Sequence, residues 1–181
     1  VESFVHVKAR RPAVIGVSLL APLLAGAALA LRWGTVSTKP QSLGEYIEDP
    51  LTIAAQFVLV VLTFVALLVI AERTHVGDGA FAGQPSDRPG SGDEELTLAK
   101  GYQRSEMFPL VLFSLGGMMV FPAADSLITL FVALEVMSLP LYILAGTARR
   151  RRQLSQEAAL KYFLLGAFAS AFLLMGSALL Y

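Results

Sequence analysis

The stretch Leu127-Ile-Thr-Leu-Phe-Val-Ala-Leu-Glu-Val-Met-Ser-Leu-Pro-Leu-Tyr-Ile-Leu144 decides the class of this protein. Its eighteen residues carry one charge, Glu135, near the middle. With its flanks the run is long enough to cross a bilayer, which takes roughly 20 residues. A carboxylate at the bilayer centre costs at least ~2.5 kcal/mol even on the lenient insertion scale. Such residues usually face a protein interior or a water cavity and serve proton or ion movement. A second ionisable group, Lys161, follows in the next apolar run. Together they point to a device that moves charge across a membrane.

Composition agrees with that setting. Of 181 residues, 55% are hydrophobic and 15% charged, whereas a soluble domain is nearer 25% charged. The formal net charge is zero and says nothing of partners; where the charges lie says more. Without cysteine, disulfides, thiolate chemistry and cysteine metal sites are excluded, and without asparagine there is no N-glycosylation acceptor. Val1 opens the chain with no signal-peptide layout and Tyr181 closes it inside an apolar run, so a fragment of a longer membrane protein is expected.

Apolar run length predicts an all-α polytopic transmembrane helix bundle with five spans, at about 12–31, 51–71, 107–121, 125–147 and 156–181. Pro12 is expected to open the first helix and Ser155 to cap the last. Residues 73–105, rich in Gly, Pro, Asp and Ser, are expected to form a flexible cytoplasmic loop. Basic residues accumulate in cytoplasmic segments. With five spans, eleven of the fourteen Lys and Arg residues fall on the side of residue 1, only Arg32 and Lys39 fall opposite, and Lys161 lies in the membrane. The side of residue 1, residues 73–105 and the run Arg149-Arg-Arg-Arg152 (149–153) are therefore expected to be cytoplasmic. The Arg run is foremost a topology anchor, with lipid headgroup binding as its rival role.

Helical spacing puts Ser138 and Tyr142 on the face of Glu135, at i+3 and i+7. Pro140 removes the hydrogen bond to the Val136 carbonyl and favours a kink beside the carboxylate. The functional reading is a proton-carrying Glu135 with a cation nearby. The bland one is a structural Glu bonded to a neighbouring helix. For Lys161 the bland reading is a shallow, snorkelling side chain paired with Glu157 four residues before it. With an axial offset of ~9 Å from Glu135, a direct salt bridge between the two does not follow, whereas a water-bridged relay could. Gly77-Asp-Gly-Ala-Phe-Ala82 fits a loose dinucleotide pattern but lacks the following helix, and is rejected. His6 and His75 are isolated. Gly116-Gly117, and Gly166 and Ser170 beside Ala167 and Ala171, suit close helix packing. No nucleophile triad, phosphate loop or nucleic-acid-binding stripe is present.

Three segments carry a resemblance: Ser105-Glu-Met-Phe-Pro-Leu-Val-Leu-Phe-Ser-Leu-Gly-Gly-Met-Met119, Leu130-Phe-Val-Ala-Leu-Glu-Val-Met-Ser-Leu-Pro-Leu-Tyr142 and Ser155-Gln-Glu-Ala-Ala-Leu-Lys-Tyr-Phe-Leu-Leu-Gly-Ala-Phe-Ala-Ser170. Each resembles the antiporter-like subunit N family of bacterial NADH-quinone oxidoreductase, respiratory complex I. The chain looks like the second to sixth of that family's membrane helices. The resemblance implies that Glu135 is the key carboxylate of the fifth helix and Lys161 the lysine of the sixth, both in proton translocation, with Glu157 steadying Lys161. It implies partners among the other membrane subunits of complex I, within the lipid bilayer of a bacterial plasma membrane. NADH, FMN, iron-sulfur clusters and quinone would bind on other subunits and none on this chain, and no nucleic acid is implied. Rival readings are another antiporter-like subunit, of complex I or of a cation/proton antiporter, and a non-transporting scaffold.

Overall fold

The computed structural model describes residues 7–36, 41–42, 44–71, 91–92, 96, 106–147 and 152–180. Five helices carry the architecture: α1 Val7–Trp33, α2 Pro50–Ala71, α3 Met107–Val120, α4 Leu127–Gly146 and α5 Arg152–Leu180. Strands β1 Gln41–Ser42 and β2 Ile47–Glu48 pair antiparallel between α1 and α2, with Gly44 at φ 77° in their turn. That positive φ is cheap only for a residue without Cβ. The turn Phe121–Ala123 is a short 3-10 helix that joins α3 to α4.

Four helices are long and apolar enough to cross a membrane; Met107–Ala123 is shorter. At 1.5 Å rise per residue, the 14 residues of α3 span ~21 Å. Its neighbours show that it still runs through the same slab. Phe108, near its start, packs with Val14 and with Leu67 near the end of α2. Leu115 packs with Leu29 and with Ile53 near the start of α2. These two clusters form the apolar core of α1, α2 and α3. Large apolar side chains elsewhere point outward, as at Leu24, Val69, Phe113 and Leu165. A bilayer solvates such surfaces, so the usual inside-out argument for a soluble core does not apply.

Two helix starts differ from the sequence expectation. Pro12 lies inside α1, which begins at Val7. The apolar run starts at Pro12, but the polar residues before it continue the helix, at the loss of one backbone bond. Ser155 does not cap α5, which begins at Arg152; its hydroxyl instead donates to the Ala145 carbonyl of α4. Ser126 is a true N-cap, accepting from Thr129 N at 3.1 Å. Asp49 caps α2 in the same way, accepting from Thr52 N at 2.6 Å.

The polar layer at one end of the bundle was not foreseen. Glu45 accepts from the hydroxyls of Ser126, at 3.2 Å, and Thr129, so it grips the start of α4. Its carbonyl accepts from Asp125 N at 3.0 Å, and Tyr46 bridges to Ala124. Gln56, buried nearly two turns into α2, donates to the Met119 carbonyl at 2.8 Å and reaches Tyr46 Oη at 3.2 Å. Arg32 and Glu48 form an ion pair at 2.7 Å. A buried amide with no partner would cost a few kcal/mol, so Gln56 specifies this arrangement as well as tolerating it. The loop expected at 73–105 lies outside the described residues apart from Ser91, Gly92 and Leu96, and Arg149 to Arg151 lie outside them too.

Candidate functional site

Glu135 occupies the middle of α4, which runs unbroken through Pro140 from Leu127 to Gly146. The side chain is half-buried, and its Oε1 is sealed from solvent with no hydrogen-bond partner. A carboxylate oxygen in that state is a poor place for lasting negative charge unless a proton or cation compensates it.

Two seams hold α4. On one side Gly117 of α3 is pressed on the backbone of α4. A Cβ there would stand 2.4 Å from Met137 N and 2.8 Å from the Ala133 carbonyl oxygen. Ala133 and Met137 lie two residues either side of Glu135, about 200° round the helix, so this seam is opposite Glu135. On the other side Tyr142 packs against α5. Its ring meets Tyr162 edge-on at 4.6 Å and Phe163 at 5.8 Å. Gly166 leaves the room, since a Cβ there would be 1.9 Å from Tyr142 Oη. Glu135, Ser138 and Tyr142 therefore form one polar stripe along the edge of the α4–α5 seam. From α5, Ser155, Ser170 and Ser177 are buried along the face turned to it. Small residues are what antiparallel membrane helices need to approach closely.

Lys161 lies elsewhere. Its Nζ pairs with Glu157 Oε1 at 2.5 Å, and both side chains are more than half exposed, at 68% and 57%. Ala159, on the seam, faces Gly146; Lys161 is two residues on, about 200° round α5. The pair thus sits on the face of α5 turned away from α4. The contacts Ala145 with Ser155 and Tyr142 with Gly166 set the helix register. In that register Lys161 is level with the last turn of α4, roughly 13 Å along the axis from Glu135. The structure therefore brings together Glu135, Ser138 and Tyr142, and separately Glu157 and Lys161, but does not join the two groups. The offset exceeds the ~9 Å expected because Gly166 meets Tyr142 and Ala159 meets Gly146, which slides α5 further along α4 than aligned chain ends would.

One residue of this site was missed. Ser114 of α3 is buried, and its hydroxyl donates to the Met137 carbonyl of α4 at 2.9 Å. Pro140 was the available signal, since a proline in α4 calls for an outside donor nearby; which neighbour supplies it depends on tertiary packing. Among the described residues no group of three His, Asp or Glu side chains is placed to hold a metal ion, and His6 and His75 lie outside them.

The family described as NADH:quinone oxidoreductase/Mrp antiporter, TM, matches residues 124–181, which are α4, α5 and the turn before them. The chain is 50% identical to NADH-quinone oxidoreductase subunit N of Beutenbergia cavernae, over 100% of this chain and 36% of that protein. The same shares and the same identity hold for subunit N of Saccharopolyspora erythraea. A solved structure, respiratory complex I from Thermus thermophilus with bound aureothin, contains a similar chain at 32% identity and TM-score 0.69, covering 94% of this chain and 31% of that one. This chain thus spans about a third of the length of the relatives it matches. The resemblance first visible from Ser105 onward extends along the whole chain.

Proposed function

We propose that this chain, homologous over its whole length to subunit N of NADH-quinone oxidoreductase, forms part of a proton-translocating membrane subunit that couples NADH:quinone electron transfer to proton pumping. The observation that carries the proposal is the mid-membrane carboxylate of Glu135 with its sealed, unpartnered Oε1. Protonated, that group is tolerable in an apolar seam; deprotonated, it needs a compensating charge. A group that alternates between these states as neighbouring charges change takes up a proton at one stage and releases it at another.

In this proposal Glu135 is the proton carrier, and Ser138 and Tyr142 supply the polar edge along which the proton approaches. Pro140 loosens the turn of α4 between them. Lys161, held by Glu157, is a second charged station that faces outward from α5 and acts on whatever packs there, not on Glu135 through a direct bond. NADH, FMN, iron-sulfur clusters and quinone belong to other subunits in this scheme. The chain has no cysteine to ligate a cluster, and its own chemistry is proton transfer. Its partners are the other membrane subunits of the complex and the lipid around them. The distribution of basic residues supports a topology with the side of residue 1, residues 73–105 and Arg149 to Arg152 in the cytoplasm of a bacterium.

The test uses the full-length protein in its complex. With Glu135→Gln, NADH-driven quinone reduction and proton uptake by inverted membrane vesicles should both fall at least ~100-fold, within the range seen for loss of a general acid-base group, while the complex still assembles. Activities equal to the unmodified protein would make Glu135 structural and leave the scaffold reading standing.

A further inference from the structure

We propose that Ser114 of α3 is a positioning residue for Glu135, acting through the backbone of α4; the inference rests on the proton-carrying role of Glu135. The turn of α4 that bears Glu135 is short of internal support. Pro140 has no N–H, so the Val136 carbonyl loses its partner within the helix, and the proline ring crowds the same turn. In a membrane, backbone groups freed in this way must be satisfied by neighbouring helices or by water. Ser114 supplies an added tie at the adjoining carbonyl: its hydroxyl donates to Met137 O at 2.9 Å, and it is among the most buried side chains of the described residues.

The donation reaches across a contact with no slack. Gly117, one turn beyond Ser114, lies so near Met137 N and the Ala133 carbonyl that no Cβ fits. The segment from Ala133 to Met137 is therefore clamped from the α3 side at two points, and Glu135 stands at its centre on the opposite face. With the backbone fixed there, the carboxylate is held where Oε1 is sealed. Losing the Ser114 hydroxyl frees one of those two points, and the helix can then relax around Pro140.

Among the described side chains of α3, α4 and α5, no other ionisable group offers an alternative route to the same effect. The residues of α3 include none that titrate. Of those on α5, Tyr162 meets α4 through Tyr142, and Glu157 and Lys161 are paired on the far face. On α4 itself the remaining titratable side chain is Tyr142.

The experiment compares Ser114→Ala, Ser114→Thr and Ser114→Cys with Glu135→Gln, each in the full-length subunit within its complex, reading the pH profile of NADH-driven proton uptake in inverted vesicles. Ser114→Ala should leave assembly intact and displace the profile by at least about half a pH unit, as expected when the surroundings of a proton-carrying group change. Ser114→Thr, which keeps the hydroxyl, should restore the profile. Ser114→Cys, close in size but a weaker donor, should fall between and serves if the alanine variant does not assemble. Glu135→Gln abolishing uptake while Ser114→Ala or Ser114→Cys keeps the normal profile overturns the positioning role alone. So does equal displacement in the Ala and Thr variants. Normal uptake in Glu135→Gln overturns the proton-carrying role, and the positioning role falls with it.

Discussion

Asp49 shows how much a single side chain decides outside the bilayer. Its carboxylate accepts from Thr52 at the start of α2, and hydrogen bonding to the Thr52 side chain, then to its backbone N–H, holds its pKa below the ordinary value. A lowered folded-state pKa means that the cap contributes above the unfolded-state value. Its contribution is lost as pH falls through the lowered folded value. Asp49→Ala should thus reduce the temperature of half-inactivation of the complex by a few degrees at neutral pH, with the difference from the unmodified protein vanishing in acid below the usual carboxylate range. A difference that persists unchanged there would mean that Asp49 acts other than as a charged cap. At this same scale Glu135 was legible from sequence, because one carboxylate among apolar residues needs no neighbour to be noticed. Ser114 was not: a serine in an apolar run reads the same whether it bonds its own helix, as Ser177 does with Leu173 O at 2.8 Å, or a different one.

Helices α4 and α5 meet where residues without bulk leave room for aromatic ones. Gly166 and Gly176 lie on the same helix but in opposite circumstances. A methyl group at Gly166 would collide with the Tyr142 hydroxyl, whereas one at Gly176 meets nothing within 4 Å. Gly166→Ala should therefore destabilise the seam by about 1–3 kcal/mol, as overpacking does. Gly176→Ala should be neutral or stabilising by up to ~1 kcal/mol through helix propensity. Thermal unfolding of the purified complex in detergent separates the two; equal effects would show that Tyr142 does not occupy the Gly166 notch. The sequence marked Gly166, Gly116 and Gly117 as close-packing positions because small residues recur at helix contacts, but Gly116 faces open space. It could not say that Gly117 touches the turn of Glu135. The starts of α1 and α5 were misjudged for a related reason: an apolar run marks the membrane, and helices extend beyond it.

Across the molecule, bilayer thickness made the five helices readable, since length and hydropathy suffice when the solvent is a slab. The polar layer of Glu45, Tyr46, Gln56 and Glu48 was not readable, because each pairs with a residue distant in sequence: Glu45 with Ser126 and Thr129, Tyr46 with Ala124, Gln56 with Met119 and Glu48 with Arg32. The proposed orientation rests on the lopsided distribution of Lys and Arg and can be measured directly, as the chain has no cysteine of its own. A single cysteine in place of Arg150 should react with a membrane-impermeant maleimide only in inverted vesicles, and one in place of Glu48 only in spheroplasts. The reverse pattern would invert the proposed topology.

The tether from Glu45 to the start of α4 has a mechanical consequence. Gln56 fixes the end of α3, Gly117 interlocks with α4, and α5 meets α4 along a seam where small residues make room for the rings of Tyr142, Tyr162 and Phe163. A roll of α5 about that seam would turn beside Glu135. A bolt can be fitted to it: a Cβ on Gly146 would stand 3.3 Å from that of Ala159, near the spacing a disulfide requires. Gly146→Cys with Ala159→Cys should stall proton uptake when oxidised and release it on reduction; pumping at full rate with the bolt closed would show that α5 need not turn.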